Sequence, residues 1–95
     1  MTEIDFLDRL KKIGDAGLTV LDIRILHYMI GNPGQSAKDI SLALGMSNRS
    51  MMIAPMHRMF NNSYIEDRRL ERRRACPARL HVTFQGLEVW ETVKP

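Results

Sequence analysis

The sequence predicts a mainly α-helical fold with a small β-hairpin, a winged helix-turn-helix, and three observations carry that expectation. Two short helical patterns are separated by only a few residues around Gly45. The hydrophobic period changes from helical to twofold after Ser63. Six arginines fall within the twelve positions from 68 to 79. A length of 95 residues suits one domain, and 44% hydrophobic with 26% charged residues is the balance of a globular chain rather than a disordered tail.

Taken in order, Ile4, Phe6, Leu7, Leu10 and Ile13 form an apolar stripe at helical spacing, which predicts a first helix from about Glu3 to Ile13, ended by Gly14 and Gly17. Thr19 with Asp22 three residues later has the spacing of a short capping box, opening a helix through about Ile30. Val20, Leu21, Ile23, Ile25, Leu26, Met29 and Ile30 leave that helix little polar surface, so it is expected to be the central one. Gly31-Asn32-Pro33-Gly34 stops it. Ser36 and Asp39 repeat the capping-box spacing before a helix of about eight residues, with Ile40, Leu42, Ala43 and Leu44 as its apolar face and Gly45 at its end. Ser47 is the expected cap of a reading helix starting at Asn48, with Met52, Met56, Met59 and Phe60 turned inward. Pro55 interrupts that helix: either the helix kinks there, the preferred reading because the methionines keep helical spacing, or a new helix starts with Pro55 in its first turn. Asn61-Asn62-Ser63 leaves the helix through a left-handed residue. Tyr64–Leu70 and Arg79–Thr83 then read as two strands joined by a basic loop, before a last helix bearing Phe84, Leu87, Val89, Trp90 and Val93. The expected divisions are an N-terminal helix over residues 1–17, a helical core with the helix-turn-helix over 18–62, a wing over 63–83 and a C-terminal helix over 84–95.

The charge is distributed unevenly. From Gly45 to Thr83 eight arginines face three acidic residues, a net +5, whereas the rest of the chain has six basic against eight acidic residues, a net −2. A basic half points at a polyanion. Arg68, Arg69, Arg72, Arg73, Arg74 and Arg79 on one hairpin suit phosphate, because the guanidinium fork donates two hydrogen bonds and stays charged. Asn48, Arg49 and Ser50 at the start of the reading helix have the chemistry of base edges. Ser36, Lys38 and Ser47, at the starts of the two helices, complete the expected DNA-contacting set together with Arg58, which either touches phosphate or pairs with an acid such as Glu66. Ile4, Leu7, Leu10, Leu87 and Trp90 are the expected interface of a homodimer joined through the terminal helices, which offer more apolar surface than a small core needs.

Other chemistries find little support. The sequence contains no phosphate-binding loop, metalloprotease helix, nucleophile elbow or dinucleotide fingerprint, so no catalysis and no cofactor are expected. Cys76 and His81 lack the further clustered ligands of a zinc site, and one cysteine forms no internal disulfide. The N-terminal residues lack the basic start and apolar run of a secretory leader, and no stretch has a membrane-span pattern, so a cytoplasmic location is expected.

From Leu18 to Gly86 the order and spacing of elements resemble the MarR family of winged-helix regulators. Met56-His57-Arg58-Met59-Phe60-Asn61-Asn62-Ser63-Tyr64-Ile65-Glu66 looks like that family's passage from recognition helix to wing, and His81-Val82-Thr83-Phe84-Gln85-Gly86 like its closing strand with the Leu-Thr-x-x-Gly turn. The wing's Glu71-Arg72-Arg73-Arg74 stands where the family has an Asp-x-Arg pattern. The resemblance implies a sequence-specific, double-stranded DNA-binding transcriptional regulator, a compact one in view of the chain length. A DNA-binding adaptor for plasmid or phage replication or partition, or a winged helix used for protein–protein interaction, is the alternative.

Overall fold

A computed structural model describes residues 2–71 and 76–95 of the chain. The elements run α1 (Glu3–Asp15), α2 (Val20–Gly31), α3 (Ala37–Ala43), a 3-10 turn (Arg49–Met52), α4 (Ile53–Asn61), β1 (Ile65–Asp67), β2 (Leu80–Val82) and α5 (Phe84–Val93). This is a winged helix-turn-helix, as the sequence predicts.

Local chemistry explains most of the boundaries. Both expected capping boxes form: the Thr19 and Ser36 hydroxyls accept from the backbone N–H of Asp22 and Asp39, whose carboxylates accept in return from the cap N–H. Thr2 and Asp5 make a third on α1. Helix α2 is the central element, with Ile25, Leu26 and Met29 essentially sealed from solvent, and it packs against all four other helices and β2. Ile13, Leu18, Ile40, Met52, Met59, Ile65, Leu80 and Val93 close around it, so every helix and both strands or their flanks contribute to one core.

Four expectations are corrected. The helix after the turn is capped by Asn48, not Ser47: Asn48 has extended backbone and its Oδ1 accepts from Ser50 N–H at 2.9 Å. The chain then makes a 3-10 turn and α4 begins only at Ile53, so Pro55 sits in the first turn of a new helix instead of kinking a long one. A first-turn residue has no intrahelical acceptor for its N–H, so proline loses nothing there. Phe60, expected inward, is 42% exposed. The strands are also shorter than expected, although Arg68 N–H to Arg79 O and Thr83 N–H to Tyr64 O extend the ladder by one bond at each end. Gln35, which the sequence places in a turn region, bridges Leu80 on the other edge of β2 and supplies a minimal third strand.

The exit from α4 runs through Ser63 in the left-handed region (φ 60°), as the Asn61-Asn62-Ser63 sequence implies. The return from the wing depends on the first turn of α5. Thr83 Oγ1 accepts from Gly86 N–H and donates to Ser63 O, and a side chain at Gly86 would meet the Tyr64 carbonyl oxygen at 2.2 Å and Val82 Cγ1 at 2.7 Å. Backbone cannot yield as a flexible side chain can. Gly86→Ala is therefore expected to separate α5 from the wing and lower stability by about 3 kcal/mol, the upper part of the usual overpacking range, read from the denaturant midpoint.

Candidate nucleic-acid interface

The helix-turn-helix consists of α3, the turn through Gly45 (φ 68°), and the 3-10 turn leading into α4. Its turn is closed by Gly45 N–H to Leu42 O and Met46 N–H to Ser41 O, while Arg24 of α2 donates to Leu44 O. This holds Ser47, Asn48, Arg49 and Ser50 on the surface, all exposed. The Asn48 side-chain oxygen is occupied by its capping bond, leaving its amide NH2 to face outward partners. Arg49 makes no ion pair among the described residues. Ser36 and Lys38 lie at the start of α3, where the Ser36 hydroxyl is engaged in its cap and Lys38 is exposed.

The sign of the surface is set by composition. No acidic residue occurs from Ile40 to Ile65, a stretch that includes the whole turn and α4. Continuity with neighbouring elements is visible in two clefts: Ala37 of α3 adjoins Arg49 and Ser50, and Asp39 adjoins Arg69, Cys76 and Arg79 at the wing. The start of α3 thus lies between the reading turn and the wing.

Arg58 is not part of the outer surface chemistry. Its Nε lies 2.6 Å from Asp22 Oδ2 and its Nη2 2.9 Å from Oδ1, a bidentate pair in which the Asp22 side chain is fully buried and the Arg58 side chain 35% exposed. The acid is Asp22 of α2 and not Glu66, the partner that nearness in sequence suggests. The hydrogen bonding that Arg58 donates to Asp22, together with the charge of that carboxylate, raises the Arg58 pKa above the ordinary arginine value against an opposing effect of burial. While Asp22 stays ionised, the contribution of this shift is present below the arginine range and fades as pH rises through it.

The wing arginines divide into two groups. Arg68 pairs with Glu66 at 2.5 Å, both about half exposed, a surface pair that a phosphate can replace at little cost. Arg69 is bound into the wing: its Nη1 donates to Cys76 O at 2.7 Å, and its Nε lies 2.9 Å from Asp67 Oδ2 in an ion pair too misaligned for a hydrogen bond. Asp67 Oδ1 also accepts from the N–H groups of Arg69 and Arg79, so one carboxylate organises both sides of the hairpin. The Asp-x-Arg order missing at residues 71–74 is therefore present just before them, as Asp67-Arg68-Arg69. Arg79 is exposed, while Arg72, Arg73 and Arg74 lie outside the described residues.

At the terminal helices, Ile4 (71%), Leu7 (55%) and Leu87 (41%) are exposed, as are Phe6 and Phe84. Leu10 is half-buried, and Trp90 is partly covered by His27, stacked on it with ring centroids 4.6 Å apart. Arg9 ties α1 to the end of α5 by donating to Val93 O. No group of three or more metal-ligating side chains occurs among the described residues, and none of their helices is long and apolar enough to cross a membrane.

No protein-family model and no curated protein matches the sequence. Solved structures do match the fold. A transcriptional regulator MarR from Methanosarcina mazei superposes with a TM-score of 0.74 over 96% of this chain at 18% identity. The multiple antibiotic-resistance repressor MarR of Listeria monocytogenes does so at 0.71 over 90% of the chain and 14% identity, and a further MarR structure at 0.72, 95% and 17%. The fold is that of the MarR-type winged helix. The chain spans 59%, 55% and 63% of those three structures respectively.

Within this MarR-type fold, the Asp22–Arg58 pair fastens the reading helix to the core. Removing the cation strands a buried carboxylate, which costs about 3–5 kcal/mol for a fully buried pair; with Arg58 a third exposed, water offsets part of that, and Arg58→Ala is expected to cost about 2 kcal/mol. Asp22→Asn with Arg58→Ala should recover part of that destabilisation in a double-mutant cycle of denaturant midpoints, whereas additive effects would mean that the two residues act separately.

Proposed function

We propose that the chain is a sequence-specific, double-stranded DNA-binding transcriptional regulator that works as a homodimer. The observation that carries this reading is the acid-free stretch from Ile40 to Ile65 folded as a helix-turn-helix, with exposed Arg49 at the entry to its second helix. A surface of that sign in that fold suits the major groove, where the first residues of the second helix meet base edges. The MarR structures with the same fold are a repressor and a transcriptional regulator, which supports the same reading.

In this reading Asn48, Arg49 and Ser50 face bases, and Ser36, Lys38 and Ser47 face the adjoining backbone. The wing reaches phosphates or the minor groove through Arg68, Arg79 and the cluster Arg72, Arg73 and Arg74. Arg58 and Arg69 serve differently: the first holds the reading helix and the second braces the wing. Replacing Arg72, Arg73 and Arg74 with alanine should weaken binding to every duplex and reduce the slope of log K against log salt by about 0.9 for each phosphate that is no longer neutralised. An unchanged slope in fluorescence-anisotropy titrations at several salt concentrations would remove the wing from the interface.

A homodimer follows from the apolar side chains left uncovered on α1 and α5, chiefly Ile4, Leu7 and Leu87, with Leu10 and Trp90 at their margins. A twofold arrangement would set two reading helices on half-sites roughly 34–36 Å apart. Leu7→Glu with Leu87→Glu should shift the mass from dimer to monomer in light scattering over micromolar concentrations. A wild-type chain that stays at 11.0 kDa there counts against the dimer.

A further inference from the structure

The reading helix is unusual in what it exposes. Beyond Arg49 and Ser50, its exposed side chains include Met51, 45% exposed, and Ile53, 59% exposed, with Ala54 next to Ile53 and His57 and Phe60 at one-turn spacings along α4. Ile53, Phe60 and Met56 line an apolar trough of about 570 Å³ that also takes in Ala37 of α3, with Arg49 and His57 on its rim. An ordinary solvent-facing helix carries charged or amide side chains at such positions. The ionisable side chains lining the trough are Arg49 and His57, and no carboxylate lines it among the described residues. An apolar surface rimmed by a cation and free of acids is complementary to an anionic partner that itself exposes apolar groups.

In the major groove one base carries such a group. Guanine, cytosine and adenine edges present only donors and acceptors, which would lose their water against Ile53 and Ala54 with no hydrogen bond in return, whereas thymine presents its C5-methyl. We infer that Ile53, with Ala54 beside it, reads thymine methyl groups, so that the bound half-site carries thymine next to the base met by Arg49. This rests on the DNA-binding reading above and adds the sequence preference. Arg49, at the start of the 3-10 turn that leads into α4, sets the register, because its guanidinium has no ion pair among the described residues to hold it back from a guanine edge. Recognition then combines one charge-assisted hydrogen bond with hydrophobic packing that needs no hydrogen-bonding side chain on α4.

The test removes the methyl group and nothing else. Duplexes bound by the full chain are selected from a random pool, and each thymine of the selected site is replaced in turn by deoxyuridine. Binding is measured by anisotropy for the wild type and for Ile53→Ala, an exposed and helix-favouring change whose folding is checked by circular dichroism. The selected site should contain thymine, and uracil at one or two positions should weaken the wild type by about three- to fivefold per methyl, the worth of one buried methyl group. Ile53→Ala should bind thymine and uracil duplexes equally at those positions. Tight binding to a selected duplex with uracil tolerated throughout overturns the thymine assignment and leaves DNA binding standing. A uracil effect that survives in Ile53→Ala also overturns it, since the methyl is then sensed elsewhere. If Ile53→Ala instead changes the mass of the free protein, the trough is covered by a second copy and the assignment falls. Absence of binding to any duplex at low salt overturns the DNA-binding reading and this one with it.

Discussion

The carboxylate of Asp22 is fully buried, and the fold around the reading helix is arranged to satisfy it. Its Oδ2 accepts from the Thr19 N–H that opens α2 and from Arg58 Nε of α4, while Oδ1 accepts from Arg58 Nη2. A lone carboxylate removed from water at this depth would cost several kcal/mol. With both oxygens occupied, the same group starts the central helix and fixes the rotation of α4 about its axis. Tyr64 strengthens the junction by donating its hydroxyl to Ala16 O, between α1 and α2. The end of the reading helix and the base of the wing are thereby tied to one corner of the core.

That constraint decides which face of α4 is free. With Arg58 turned to Asp22 and Met52, Met56 and Met59 turned to the core, Ile53, His57 and Phe60 have only the outer face left. The outer surface of α4 is the remainder of a packing solution. Its chemistry is consequently more apolar than the arginine-rich composition of this half of the chain suggests. The basic character resides at Arg49 and on the wing.

The wing depends on a second buried-side carboxylate. Asp67, 9% exposed, gathers two backbone N–H groups and the Arg69 side chain at the root of the hairpin, and Gly86 lets α5 begin against the Tyr64 carbonyl. Two strands of three residues have few ladder bonds, so an acid at the root and the edge bridge from Gln35 supply order that pairing alone does not. Among the described wing arginines, Arg69 is bound into the hairpin while Arg68 keeps a surface pair with Glu66 and Arg79 is exposed.

Where local chemistry controls the outcome, the sequence was sufficient. The capping boxes at Thr19 and Ser36, the buried stripe of α2, the left-handed exit at Ser63 and the change to twofold period each depend on residues within a few positions of one another, and each defined its element. The fold class and the basic half of the chain were legible for the same reason. The start of α4 was not, because Pro55 fits both a kinked helix and a new first turn, and the choice rests on how Met52 and Met56 reach the core. Nor could sequence tell that Phe60 faces out, that Gln35 borders β2, or that Arg58 selects Asp22, 36 positions away, over Glu66 only eight away. Pairing across the chain depends on which groups are left without water when the helices dock, and that is decided only once all of them are in place.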